Sequence, residues 1–148
     1  MNILRTNLTR TFAIILLLTS SMTVNAAIAV IAHPDVDDSG ISRSVLAKIY
    51  LGKVKSYPNG VKVIPFDLPK KSSIRKAFYK TVVNKTDREI NRYWSKLKYT
   101  GKGKPPKQID SNRGVIKTVG QTEGAIGYID ARYVKFLKKS VKVVLTLP

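Results

Sequence analysis

Apolar positions change period along the chain, and these changes separate predicted strands from predicted helices. Ile28–Ala32 (IAVIA) is a continuous apolar run, typical of a strand that is buried on both faces. Residues 61–64 (VKVI) mix β-branched side chains with one lysine, and Pro65 follows, so we expect this strand to run out into a turn at residues 67–71. Two further strands are predicted at residues 125–129 (AIGYI) and 141–147 (VKVVLTL).

Amphipathic segments lie between these strands, and each begins at a hydroxyl residue that can cap a helix. One of them opens with a capping box formed by Thr86 and Glu89. The other predicted caps are Ser42, Ser72 or Ser73, and Ser111. Because strands and helices alternate, the pattern predicts an α/β fold in which a mixed β-sheet carries helices on both faces.

The third helix contains two aromatic residues among several basic ones. Ile90, Tyr93, Trp94 and Leu97 recur at three- and four-residue spacing, which places both rings on the apolar face. Aromatic rings beside basic residues can also stack on nucleic acid bases. Helical spacing favours a core position for both rings.

Residues 1–26 have the features of a secretory signal peptide. A basic start carries Arg5 and Arg10, a short apolar run follows, and small residues precede a cleavage position after Ala26. The apolar run is shorter than the roughly 20 residues that a membrane-spanning helix needs. We therefore expect a protein exported to the periplasm, with residues 27–148 as one mature domain that contains no transmembrane segment.

The chain is strongly basic, with 27 lysines and arginines against nine acidic residues and a net charge of +18. Without Arg5 and Arg10 the net charge is +16, so the mature domain still favours anionic partners. These include phosphate-like solutes, acidic polysaccharide, envelope phosphates and nucleic acid. Nucleic acid is the weakest of these hypotheses, because no recognised binding motif is present. The absence of cysteine excludes disulfides and thiol chemistry.

Residues suited to catalysis are scarce. The chain has one histidine, His33, and nine scattered acids, with neither a nucleophile elbow nor a metal-binding helix motif. Residues 35–40 match the opening of a calcium loop, but Arg43 and Leu46 occupy positions that need oxygen ligands. We therefore expect a binding protein rather than an enzyme, without a cofactor or a metal.

The start of the second helix is the most specific chemical feature. A helix start presents unpaired N–H groups and the positive end of the helix dipole, which together suit an oxyanion. Serines occupy this start, and cationic side chains flank them. The predicted ligand-binding residues are Lys70, Lys71, Ser72, Ser73 and Arg75. The alternative is that the serines only cap the helix and the lysines are only solvated.

Four motifs, in the same order and at similar spacing, resemble the phosphate-binding proteins of ABC transporters, which have the type 2 periplasmic-binding-protein fold. They are residues 42–53 (SRSVLAKIYLGK), 74–78 (IRKAF), 93–94 (YW) and 124–129 (GAIGYI). The usual family member has two lobes and about twice this length, so the chain resembles the small, single-lobe members. The resemblance implies a solute-binding function without catalysis, for phosphate or a related oxyanion.

The resemblance also implies where the phosphate binds. In the family, phosphate sits at the helix start that corresponds to Ser72, held by a serine-glycine-threonine turn and a preceding arginine. Aligned through Arg75, that turn falls on Ser72, Ser73 and Ile74, and the arginine position falls on Leu68. One hydroxyl is kept, whereas the threonine hydroxyl and the arginine are replaced.

Two functions remain open. The first is an exported solute-binding lobe for inorganic phosphate or a similar oxyanion, whose open site is covered by a transporter membrane component or by a second copy of the chain. The second is a basic periplasmic adaptor that binds an acidic macromolecule and keeps only a vestige of the anion site.

Overall fold

The computed structural model describes residues 27–148; the predicted signal peptide, residues 1–26, lies outside the described residues. Within residues 27–148 there are five strands and four α-helices, together with one π-helical and one 3₁₀-helical segment. In chain order they are β1 (Ile28–Ala32), α1 (Arg43–Tyr50), β2 (Ile64–Asp67), α2 (Ser73–Phe78), the π-helical turn Tyr79–Val83, α3 (Asp87–Tyr99), β3 (Lys107–Gln108), α4 (Asn112–Gly120), β4 (Ala125–Asp130), the 3₁₀ helix Ala131–Phe136 and β5 (Lys142–Leu147).

The strands form one mixed sheet in the order β3-β2-β4-β1-β5. Strand β2 runs parallel to β3 and β4, whereas β1 runs antiparallel to β4 and β5. The central strands β1 and β4 are buried along their whole length, as their continuous apolar sequence predicts. Among the described residues, no helix is long and apolar enough to cross a membrane.

Helices cover both faces of the sheet, as expected. On one face α4 packs closely on β4, where a Cβ at Gly127 would lie only 2.7 Å from Val115 Cγ1. On the other face Tyr128 of β4 stacks on Phe78 of α2 with ring centroids 3.8 Å apart, and Tyr50 of α1 packs edge-on against both rings. These aromatic rings fix α1 and α2 against the sheet.

All four predicted helix starts are confirmed. Each capping hydroxyl accepts a hydrogen bond from the N–H three residues ahead, and Thr86 and Glu89 form the complete capping box. The expected core position of the α3 aromatic residues is also observed, since Trp94 is buried and Tyr93 donates its hydroxyl to the Leu51 carbonyl.

The predicted position of the second strand is wrong by three residues. The strand is Ile64–Asp67 and includes Pro65, while residues 61–63 contribute only an isolated bridge between Lys62 and Ser56. Pairing with β3 begins only at Phe66. Because Pro65 lies before this pairing, its missing N–H costs no hydrogen bond to β3. Tertiary pairing, rather than the local β-branched pattern, therefore decides where this strand lies.

Candidate functional site

The turn between β2 and α2 follows the carboxyl end of a parallel strand, an edge where α/β sheets commonly bind ligands. The Ser72 N–H donates to the Pro69 carbonyl at 2.8 Å and closes the turn. Lys70 and Lys71 occupy its exposed corner. The aligned family arginine position, Leu68, is buried and apolar. Positive charge at this turn therefore comes from the two lysines.

The start of α2 provides hydrogen-bond donors at the same place. The Ser72 hydroxyl oxygen accepts the Arg75 N–H at 3.3 Å, which leaves its own proton available to a further acceptor. The Lys76 N–H donates to the Ser72 carbonyl at 3.2 Å, so the helix itself offers no acceptor to the earlier N–H groups of Ser73 and Ile74. Ser73 is exposed. We call residues 70–74 the anion seat.

Arg75 does not lie at the surface of this seat. Its side chain is 3% exposed, and its Nε donates to Asp67 Oδ2 at 3.0 Å. Its Nη1 donates to Asp87, and the guanidinium carbon lies 4.7 Å from the centre of the Tyr79 ring. Burial is the largest single influence and opposes the charge of this group, but the Asp67 carboxylate, together with Tyr79 and Tyr128, raises the pKa of Arg75 overall. The structure thus places Arg75 behind the seat, inside a buried ion-pair network.

Asp67 is the centre of that network. It is 2% exposed and accepts hydrogen bonds from Arg75 Nε, the Leu68 N–H and the hydroxyls of Tyr79 and Tyr128. Burial, followed by the negative charge of Asp67, raises the pKa of both tyrosines, so their hydroxyls remain neutral donors. The network joins β2, α2, α3 and β4 directly behind the seat.

No local sequence pattern predicts this network, because its members are distant in sequence. Asp67 and Tyr128 are 61 positions apart, and Asp67 and Tyr79 are 12 apart. The sequence does carry one signal of the network. Asp67 ends an otherwise apolar strand, and a buried carboxylate requires a nearby hydrogen-bond donor or cation.

The calcium-like loop also has a structural role. Asp35 accepts hydrogen bonds from the His33 imidazole and from the Gly124 N–H, and so ties the loop to the start of β4. Within residues 27–148, no three His, Asp or Glu residues are grouped as a metal site would require. The seat is therefore the strongest ligand-site candidate that the sequence predicted.

Among known proteins, the chain is similar to solved structures only at the level of the fold. No protein-family model and no curated protein matches the chain. Several solved structures do match, and three of them each cover 80% of this chain. PstS from Borrelia burgdorferi has a TM-score of 0.61 at 19% identity. A Clostridium perfringens protein, described as a phosphate ABC transporter substrate-binding protein with bound phosphate, has a TM-score of 0.58 at 23% identity.

The third is an ABC-type phosphate transport receptor from Vibrio cholerae, with a TM-score of 0.56 at 18% identity. The chain has the fold of these phosphate-transport proteins. It spans only about half of their length, between 45% and 50%, and is thus a partial, single-lobe match. The fold predicted from the four motifs is therefore confirmed.

Proposed function

We propose that this chain is an exported, periplasmic solute-binding lobe that holds phosphate or a related oxyanion at the anion seat. The observation that carries the proposal is a basic, hydroxyl-bearing helix start on a fold shared with a protein crystallised with phosphate. Lys70 and Lys71 supply charge, and Ser72 and Ser73 supply hydroxyl and backbone donors. The lobe binds its ligand without catalysing a reaction.

Arg75 acts in this proposal as a positioning residue. It is bonded to two carboxylates, so the buried network brings no net positive charge to the seat. Its role is to hold the end of β2 against α2 and α3, which fixes the turn that carries the lysines. A lysine is a flexible point charge, so we expect weaker selectivity among oxyanions than an arginine fork would give.

The exposed seat has a further consequence. Anions bind more tightly where protein excludes water on every side, because hydrogen bonds strengthen in a low dielectric. Lys70, Lys71 and Ser73 are exposed. We therefore propose that a transporter membrane component, or a second copy of this chain, covers the seat when phosphate is delivered.

Calorimetric titration with phosphate tests the proposal, with sulfate as a second oxyanion. We expect saturable heat that persists at about 0.15 M salt and a loss of affinity of about tenfold or more in S72A/S73A, since charge-assisted hydrogen bonds are removed. The variant S111A is the matched control, because Ser111 caps α4 in the same way through the Gly114 N–H at 3.0 Å. Equal phosphate affinity in the wild type and S72A/S73A would contradict the seat.

A second function is favoured by a separate surface. A groove of about 530 Å³ between α4 and the 3₁₀ helix is lined by three cationic side chains, and no acidic residue within residues 27–148 lines it. The Arg113 guanidinium lies 4.8 Å from the centre of the half-exposed Phe136 ring, and Lys117 and Lys138 line the same groove. This basic groove suits the acidic macromolecule of the adaptor hypothesis.

A polyglutamate peptide tests the adaptor hypothesis. If the groove is the docking surface, K117Q/K138Q weakens peptide binding while K70Q/K71Q, which removes the same charge, leaves it unchanged. The affinity should also fall steeply with salt, because several cations act together. Equal effects of the two double variants would show that net charge alone attracts the peptide.

A further inference from the structure

A small pocket adjoins the anion seat. It has a volume of about 190 Å³ and lies between α3, the β2-α2 turn and the segment that leads into β3. Since a water molecule takes up about 30 Å³ in the liquid, this is room for a short organic group. Lys70 belongs both to the seat and to this pocket. The buried ion pair of Asp67 and Arg75 also lines the pocket. The other lining residues are Asn91, Trp94, Ser95, Lys98, Pro105, Pro106 and Gln108.

The walls of the pocket combine apolar surfaces with hydrogen-bond donors. Trp94 and the prolines at 105 and 106 provide flat apolar surfaces, while the side-chain amides of Asn91 and Gln108 can both donate and accept. Lys98 adds a cation. Such walls suit a short chain whose C–H groups face rings and whose hydroxyl groups meet polar side chains.

Trp94 supplies an independent indication. It is 7% exposed, and its Nε1 is buried with no hydrogen-bond partner among the described residues. The far edge of its benzene ring packs on Gly52 and Gly103, where a Cβ would lie 3.0 Å from Cη2 and 3.5 Å from Cζ3. Nε1 belongs to the five-membered ring and is not part of the edge that packs on the two glycines. A buried indole N–H without an acceptor is costly, so an acceptor that reached it would be favoured.

Access to this N–H requires a small local movement, because the atom is covered. Lys98 lies four residues after Trp94 on α3 and therefore on the same side of the helix. Its side chain is exposed and lines the pocket, so it can change rotamer without disturbing the core. An entering anion or hydroxyl group would attract its ammonium group at the same time.

We propose that this pocket receives the organic part of a phosphate monoester whose phosphate group occupies the anion seat. The inference rests on the proposed function and specifies its ligand class: a phosphate ester with a short, hydroxyl-bearing substituent, rather than inorganic phosphate alone. Trp94 Nε1 donates to an oxygen of the substituent, and Lys98 closes over it. Lys70 marks the junction between the two parts of the site.

Comparison of glycerol 3-phosphate with inorganic phosphate tests this proposal. In calorimetry we expect the ester to bind the wild-type protein about five- to tenfold more tightly, because it makes added hydrogen bonds in the pocket. The chain has a single tryptophan, so Trp94 emission should change on titration with the ester and not with phosphate.

Substitutions in the pocket should weaken binding of the ester and leave binding of inorganic phosphate unchanged. Lys98→Gln and Trp94→Phe should each lower the affinity ratio of ester to phosphate toward one, with phosphate affinity itself unchanged. Lys96→Gln is the matched control, because Lys96 is an exposed lysine of the same helix that does not line the pocket. Lys98→Gln replaces an exposed side chain and keeps the test valid if Trp94→Phe does not fold.

The two proposals fail in different ways. If phosphate binds at the seat but the ester binds no more tightly, or if both pocket variants keep the wild-type ratio, the pocket proposal is wrong and the proposed function stands. If neither ligand binds the wild-type protein, both are wrong. An emission change of equal size in Lys98→Gln, Lys96→Gln and the wild-type protein would indicate a general ionic effect and would also overturn the pocket proposal.

Discussion

Asp67 keeps a carboxylate inside the protein because hydrogen-bond donors surround it. Removing a carboxylate from water is costly unless paired cations and hydrogen bonds replace the lost solvation. Arg75, two tyrosine hydroxyls and a backbone N–H do so here. Such a network is sensitive to the loss of one member, because the remaining charge is then buried without its partner.

Replacing Asp67 with asparagine should therefore destabilise the protein strongly. We expect a loss of about 3–5 kcal/mol, as found when one member of a buried ion pair is removed. Asp38→Asn is the control, because Asp38 and Lys142 form an ion pair whose side chains are 43% and 34% exposed. Urea denaturation measures both. Similar losses for the two variants would show that the buried network is not a main source of stability.

Gly124 is constrained by both conformation and space. Its φ angle is +70°, and a Cβ would lie 2.0 Å from the Lys62 carbonyl oxygen. Gly60 has a φ angle of +84° but no atom within 4 Å of a Cβ. Gly60→Ala should cost about 1–2 kcal/mol, the usual cost of a left-handed backbone, and Gly124→Ala distinctly more. Thermal unfolding of the two variants compares these costs, and equal losses would rule out the steric contribution.

At the scale of elements, the capping signals of the helices are local. The hydroxyl of each cap and the N–H it accepts are three residues apart, so the sequence alone predicts all four helix starts. Strand β2 depends instead on pairing with β4 at Ile64 and Pro65, and the two-residue strand β3 pairs with Phe66 and Asp67 of β2. The sequence pattern does not contain these pairings, which is why it misplaces β2 and does not predict β3.

The candidate site divides in the same way. The two lysines and two serines of the seat lie in four consecutive positions, residues 70–73, so the local sequence alone is enough to predict them as anion-binding residues. The burial of Arg75 depends on Asp87 and Asp67, which other elements bring to it. The pocket at Trp94 is formed by three segments that are distant in sequence, so no local pattern predicts it.

The capping box of α3 predicts a pH dependence. The Thr86 backbone N–H, followed by the Thr86 hydroxyl, lowers the pKa of Glu89 from its ordinary 4.5. Because the pKa is lower in the folded state, the stabilisation is complete above pH 4.5 and is lost as pH falls through the lowered value. Glu89→Gln should therefore lose less stability than the wild type between pH 5 and pH 3 in urea titrations. Parallel losses in both proteins would contradict this assignment.

At the scale of the whole molecule, excess positive charge acts against the compact state. A net charge of +18 means that folding gathers cations that repel one another, and salt weakens this repulsion. Sodium chloride should therefore raise the unfolding temperature. A ligand that binds only the folded state adds a further stabilisation that depends on its own concentration.

Phosphate and chloride at matched ionic strength separate these two effects. We expect phosphate to raise the unfolding temperature of the wild type above the value in chloride, and S72A/S73A to show the same unfolding temperature in both salts. Scanning fluorimetry of the two proteins provides the measurement. An equal rise with both salts in the wild type would mean that only screening is at work.

The most direct test of the anion seat is a phosphate titration followed by the backbone amide resonances of the protein. If the seat binds phosphate, the largest shifts occur at the N–H groups of Lys71, Ser72, Ser73 and Ile74, and they saturate together. Shifts centred on Arg113 and Lys117, or spread without saturation over the exposed lysines, would contradict phosphate binding at the seat and would favour the basic groove as the anion-binding surface.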